Sequence, residues 1–462
     1  MRARRVLVIG LDCVPPSLLF DRFRGVMPNV TALARRGAWG ALRSTEPPIT
    51  VPAWTSMVSG RDPGELGLYG FRNRTRDGGY TLRVATSRDV RAKRLWDLLG
   101  EAGKRVAALF VPLTSPPSPL RGQMVAGFLT PAPERGGWAW PPALERELTA
   151  RFGPYLADVE GFRTDAPGAI VDALERMAEQ HFAIAEHVWV RERPDFMMMV
   201  EIGPDRLHHA LWQHLDPSHP AHDPESPWGE RGRAYYAALD RHIGRLVGLA
   251  DDDTAVLIAS DHGAKPLLGG VCVNDWLIAN GWLHLERTPR RPARLADADV
   301  RWEQTRAWGE GGYYARVCLN VEGREPRGCV PPREYERTRA ALAEALAAIR
   351  RPDGAAMRTR VVLPERAYRA VRGRPPDLMV YFDDLDYRAI GTVGHGAIHV
   401  ADNDTGHDTC NHDWDGVWVL AGAGVRARGR IEGAAIYDVT RTVLALMGVD
   451  GPPDLLGVDR SQ

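Results

Sequence analysis

At 462 residues, the chain has room for one large α/β domain with an added lobe, or for two to three domains. Its formal net charge is zero and its 44% hydrophobic content is ordinary for a globular protein, which argues against a polyanion-binding or membrane-surface protein. Only three of the 59 basic residues are lysines (Lys93, Lys104 and Lys265), a bias that reads as codon composition in a GC-rich genome.

The N-terminal stretch "MRARRVLVIGLDC" has an apolar core of only six residues before Asp12. That is too short for a signal peptide or a spanning helix, and it predicts a buried strand over 5–11. In "PPITVPAWTSMVSG" (47–60), Thr50 stands between a Pro-Pro turn and an apolar run. A threonine there reads most simply as a helix N-cap, with Pro52 in the first turn. Further buried strands are predicted at 105–111, 195–202, 254–260 and 416–424, and helices at 171–192, 232–250 and 437–448. Such alternation implies a mainly parallel sheet covered on both faces. The tryptophans of "RGGWAWPP" (135–142) read as core cover.

Residues from about 265 to 400 are patterned differently. A strand at 315–321, a helix at 332–349 and strands at 358–365 and 377–384 make a β-α-β-β unit, expected to be an inserted lobe. The five cysteines (13, 272, 318, 329 and 410) are odd in number and widely spaced, with no C-x-x-C. This argues against a disulfide framework or a thiolate zinc site, and makes the cytoplasm the default compartment.

Three of the predicted strands deliver an aspartate at their ends: Asp12, Asp205, and Asp261 followed by His262. Ligands of parallel α/β sheets bind beyond the carboxyl ends of the strands. Carboxylates gathered there repel one another, and divalent cations relieve that repulsion. Nine of the 14 histidines fall in two clusters, at 208, 209, 214, 219 and 222 and at 395, 399, 407 and 412. Asp205 and His209 share one side of a helical turn. Mixed imidazole and carboxylate ligands suit zinc or manganese better than calcium or magnesium. His187, His208 and His242 read as packing or surface residues, and His214, His219 and His222 as solvated.

In this order, Asp12, Thr50, Asp205-x-x-x-His209, "SDHG" (260–263) and "HDWDGVWVLAGAG" (412–424) resemble the alkaline phosphatase superfamily. The likeness is strongest to bacterial members of the type I phosphodiesterase/nucleotide pyrophosphatase branch. "VNDWLIANGWL" (273–283), "ARVCLNVEGREPRG" (315–328) and "PPDLMVYFDD" (375–384) extend it over most of the chain. The resemblance implies an alkaline-phosphatase-like three-layer α/β sandwich with a mainly parallel sheet. The catalytic core would be 1–264 with 401–462, and 265–400 the inserted α+β lobe shaping the cleft.

It also implies two divalent metal ions, zinc or alternatively manganese. Asp12, Asp261, His262 and the Thr50 oxygen would hold one, and Asp205, His209 and His412 the other, with His407 as runner-up to His412. Thr50 becomes the nucleophile of an in-line reaction through a phosphothreonine. The expected activity is hydrolysis of a small-molecule phosphate diester or nucleotide pyrophosphate, with no nucleic-acid or membrane partner and the oligomeric state left open. The branch places an asparagine near Phe71, and this chain lacks it; Arg72 and Asn73 are the candidate phosphate-binding substitutes. Apolar Val51, Pro52 and Trp54 suggest a wall for the second ester group of a diester. The alternatives are a phosphate monoesterase (phosphatase or phosphomutase-like) and a metal-binding pseudoenzyme. A sulfatase is disfavoured because no C-x-P-S-R or S-x-P-S-R motif is present.

Overall fold

The computed structural model describes residues 3–75 and 78–462. The strand Arg5–Leu11 lies near the middle of a ten-stranded sheet. In spatial order the sheet runs Gly429–Arg430, Ala38–Arg43, Asp415–Gly422, Thr254–Ala259, Arg5–Leu11, Phe196–Glu201, Val106–Leu109, Gly122–Val125 and Ala139–Trp140. Ala434–Ala435 also pairs with Ala38–Arg43. The five strands from Thr254–Ala259 to Gly122–Val125 are parallel to one another. Asp415–Gly422 runs against both of its neighbours.

Strand geometry explains why the central runs are apolar throughout. Leu7, Ile9 and Leu11 enter the core on one face, and Val6 and Val8 enter the core on the other. Helices Pro28–Arg36, Gly168–Glu192, Gly203–Leu215 and Pro227–Gly248 cover the first face. Helices Thr50–Ser59, Leu95–Glu101 and Asp438–Met447 cover the second. The result is a three-layer α/β/α sandwich. Trp138 is buried in the first core, as cover.

A separate apolar cluster is built from residues between Val271 and Val393. Its antiparallel sheet has the order Ala307–Glu310, Ala315–Leu319, Leu378–Tyr381, Arg360–Val362, and helix Tyr335–Ala347 packs against it. A mainly aromatic cluster that includes Ile49, Tyr69, Tyr313, Tyr381 and Trp414 joins this unit to the segment preceding Thr50.

Some details differ from expectation. The strand predicted over 105–111 ends at Leu109, because Phe110 and Leu113 take left-handed backbone conformations (φ 61° and 62°). The strand predicted at 358–365 shrinks to Arg360–Val362, since Pro364 opens a helical turn. His219, expected to be solvated, is buried at 8% exposure, and His222 Nδ1 lies 2.8 Å from the carbonyl of Gln213. Among the described residues, no helix is long and apolar enough to cross a membrane.

Candidate active site

The sheet brings seven of the predicted site residues to one place. Asp12 directly follows the strand Arg5–Leu11, Asp205 lies in the first turn of the helix after Phe196–Glu201, and Asp261 and His262 follow Thr254–Ala259. His209 stands one turn after Asp205. His412 comes from the strand Cys410–Asp413, which pairs with Gly263–Pro266 so that His412 faces Ala264. Thr50 is the first residue of its helix. Thr50 is 2% exposed, Asp205 1%, and the other five 0%, so the cluster is screened from bulk solvent.

Thr50 is not the cap. Ile49 holds the N-cap position without a side-chain bond, and the Thr50 hydroxyl lies 3.4 Å from His262 Nε2. Around it stand two trios. His262 Nε2 is 3.5 Å from Asp12 Oδ1 and 3.2 Å from Asp261 Oδ2. Asp205 Oδ1 is 3.5 Å from His209 Nε2 and 3.3 Å from His412 Nε2. The rings of His262 and His412 stack at 3.7 Å, which sets the trios side by side. His407 stands apart, 37% exposed at its side chain and 3.5 Å from Asp402.

Each carboxylate spends one oxygen on the protein and leaves the other unpaired. Asp12 Oδ2 accepts from the Trp54 indole at 2.7 Å, Asp205 Oδ2 from Arg206 at 2.6 Å, and Asp261 Oδ1 from the Cys13 amide at 3.3 Å. Asp12 Oδ1, Asp205 Oδ1 and Asp261 Oδ2 are buried with no hydrogen-bond partner, as is His412 Nε2. The three imidazoles each bond outward through Nδ1. His412 Nδ1 donates to the Pro48 carbonyl (2.9 Å), His262 Nδ1 to that of Gly263 (3.1 Å), and His209 Nδ1 to Asp408 (2.8 Å). A carbonyl only accepts, so these bonds place the proton on Nδ1 and turn the Nε2 lone pair inward. Inward lone pairs with outward bonds to oxygen are the arrangement of metal-ligating histidines.

Electrostatics agrees. Burial, and then Asp205, pushes Asp12 well above the usual carboxylate range; burial, and then Asp12, does the same to Asp261. Burial also acts upward on Asp205, but His209, His412 and Arg206 outweigh it and hold that group well below the range. Burial, and then His412, pushes His262 far down, and burial pushes His412 down to about 4. Neutral His262 and His412 beside carboxylates that cannot all ionise alone are part of a donor set that divalent cations complete.

A model of the type I phosphodiesterase / nucleotide pyrophosphatase family matches residues 6–415. The chain belongs to this family. Its members are phosphoric ester hydrolases. Among solved structures, human ectonucleotide pyrophosphatase / phosphodiesterase 5 aligns over 97% of this chain and 96% of its own, at 14% identity and a TM-score of 0.58. Phosphonoacetate hydrolase from Sinorhizobium meliloti 1021, in complex with phosphonoacetate, aligns over the same shares at 17% identity and 0.63. The murine phosphodiesterase 5, an inactive threonine-to-alanine variant in complex with AMP, does so at 13% identity and 0.59. At these identities the structures speak for the fold. No curated protein matches by sequence.

Where the resemblance leads to an expected asparagine, Phe71 is half-buried, edge-on to Phe128 at 5.7 Å and 6.3 Å from Tyr313. Arg72 is exposed, and its carbonyl accepts from Arg316. The Asn73 amide is used within its own turn, accepting from the Tyr69 amide at 2.7 Å and donating to Gly70 at 3.0 Å. The structure therefore gives Asn73 a local structural task.

Sequence reasoning missed the supporting residues. Asp408 accepts from His209, Arg163 (2.7 Å) and Arg388 (2.6 Å) at once. Tyr313 stacks on His412 at 3.6 Å and sets its hydroxyl 3.1 Å from His209 Nε2. The sequence offered one cue, since Asp408 lies four residues before His412. Tyr313 and Arg388 arrive from the distant β-rich unit, and no local pattern marks them.

Proposed function

We propose that this chain is a metal-dependent phosphodiesterase or nucleotide pyrophosphatase with Thr50 as nucleophile. The observation that carries the reading is the set of unpaired oxygens and inward Nε2 lone pairs converging beside the Thr50 hydroxyl. Asp12, Asp261, His262 and Thr50 would hold one divalent ion, and Asp205, His209 and His412 a second. Zinc fits this mixed imidazole and carboxylate donor set first, and manganese is the alternative. Such ions, when bound, acidify the threonine hydroxyl and neutralise charge on the phosphoryl oxygens.

The chain's own residues do the rest. Thr50 Oγ1 attacks phosphorus, the bond to the leaving oxygen breaks in line, and water then hydrolyses the phosphothreonine. The first intrahelical bond of this helix runs from the Ala53 amide to Ile49, so the Thr50 and Val51 amides at its N-terminus remain for a phosphoryl oxygen. The murine neighbour, whose inactive variant has lost a threonine, supports this role and a nucleotide-like substrate.

The apolar wall expected from Val51, Pro52 and Trp54 is corrected, since all three are buried in the packing of their helix. Aromatic side chains border the second trio instead. Tyr313 stacks on His412, Phe162 lies 5.5 Å from His209, and Phe71 and Phe128 adjoin them. An aromatic border suits the second ester group of a diester or a nucleoside. Residues 265–400 act as the cleft-shaping lobe, on the support of Tyr313 and Arg388. The substrate is a small-molecule phosphate ester, and the five free cysteines support a cytoplasmic setting.

The ratio of kcat/KM for bis-p-nitrophenyl phosphate over p-nitrophenyl phosphate, under one metal condition, tests the assignment. A ratio above one is expected; a clear preference for the monoester moves the enzyme to the phosphatase reading.

A further inference from the structure

A cavity of about 880 Å³ opens between residues of the stretches 61–75 and 83–93, the segment Arg372–Arg374 and the C-terminal stretch 452–455. None of the seven cluster residues lines it. Seven basic side chains face three acidic ones on its wall. The chain as a whole balances 59 basic against 59 acidic residues, so the excess is local.

Ion pairs within the protein account for only part of it. Arg61 is paired with Asp454 (2.6 Å) and Glu65 (3.2 Å), Arg83 with Asp89, and Lys93 with Glu101 (2.7 Å). Arg74 and Arg374 share one carboxylate, Glu325, at 2.8 and 3.8 Å, and Arg324 draws on the same group at 3.0 Å. Arg74 Nε and Arg374 Nη1 are buried with no hydrogen-bond partner, and the Arg74 side chain is only 7% exposed. Among the described residues, no carboxylate pairs with Arg91 or Arg372.

Arginines that share one carboxylate or have none leave positive charge uncompensated on the cavity wall, and the chemistry that neutralises several at once is a multiply charged oxyanion. Arginine forks match phosphate oxygens in pairs, and the volume falls in the usual range for small-molecule sites. We propose that this cavity binds a small molecule carrying two or more linked phosphate groups, at a site separate from the catalytic cluster. The apolar Leu66, Leu68 and Leu455 on the same wall give room for an organic body attached to them.

Calorimetric titration of inorganic tripolyphosphate, and separately of ATP, into the full-length Thr50→Ala protein tests this without turnover. Arg372→Glu and Arg374→Gln should each weaken binding by about tenfold or more. Arg135→Glu, at a side chain 85% exposed and outside the cavity, should leave it unchanged. Added salt should weaken binding further. Tighter binding of ATP than of tripolyphosphate places a nucleoside on the leucines, and equal binding places the phosphate chain alone. Absence of binding at millimolar ligand, or cavity variants that bind like Arg135→Glu, overturns the proposal.

Discussion

The Thr50 hydroxyl illustrates how far one residue can be read. Its sequence setting allows a cap or a nucleophile, and only the structure shows Ile49 in the cap position. Thr50→Ala should therefore leave thermal stability close to wild type while removing turnover, and Thr50→Ser should restore part of it. Asp408 sets a second test. Burial acts upward on its carboxyl, but His209, Arg388 and Arg163 prevail and hold it below the usual range. Asp408→Asn should weaken metal binding by about 10–100-fold while every ligand remains in place. Unchanged affinity by metal-competition titration would show that His209 needs no orientation. A third test concerns pH. Burial pushes His208 from 6.5 down to about 3, and its Nε2 accepts from Tyr236 at 2.7 Å. The native state thus holds His208 neutral while the unfolded chain protonates it below 6.5. Its contribution is present above pH 6.5 and is lost as pH falls toward 3, by roughly 1.4 kcal/mol per unit. His208→Gln should flatten the acid limb of the melting-temperature profile; parallel limbs would contradict this.

At the scale of elements, the helix Thr50–Ser59 is tied to the first strand through Trp54, whose indole donates to Asp12. The indole reaches that far because Gly10 has no side chain: a Cβ there would sit 2.4 Å from Trp54 Cη2. Gly10→Ala should cost about 1–3 kcal/mol and lower metal affinity along with stability, because Asp12 loses its positioning bond. A stability loss with unchanged metal affinity would separate the two. The same strands show what is legible in sequence. Fully buried parallel strands such as Arg5–Leu11 and Thr254–Ala259 are continuous apolar runs, and their terminal aspartates stand out against them. Ala38–Arg43 escaped notice because its burial alternates and a glycine and an arginine interrupt it. Arg163, Tyr313 and Arg388 escaped because their meaning arises only where a loop and the β-rich unit meet His209 and His412.

Over the whole molecule, a balanced charge conceals two concentrations of opposite kind. Carboxylates and imidazoles gather at the carboxyl ends of the central strands, and arginines gather around a separate cavity. The first concentration underlies the central claim, that Thr50 acts within a two-metal cluster. The most direct test measures metal content and turnover together on the same preparations of wild type and Thr50→Ala. Wild type should carry about two divalent ions per chain and lose activity on chelation. Thr50→Ala should keep most of that metal and turn over bis-p-nitrophenyl phosphate roughly a thousandfold more slowly. Near-wild-type turnover in Thr50→Ala, or chelator-resistant activity in a metal-free wild type, would contradict the account.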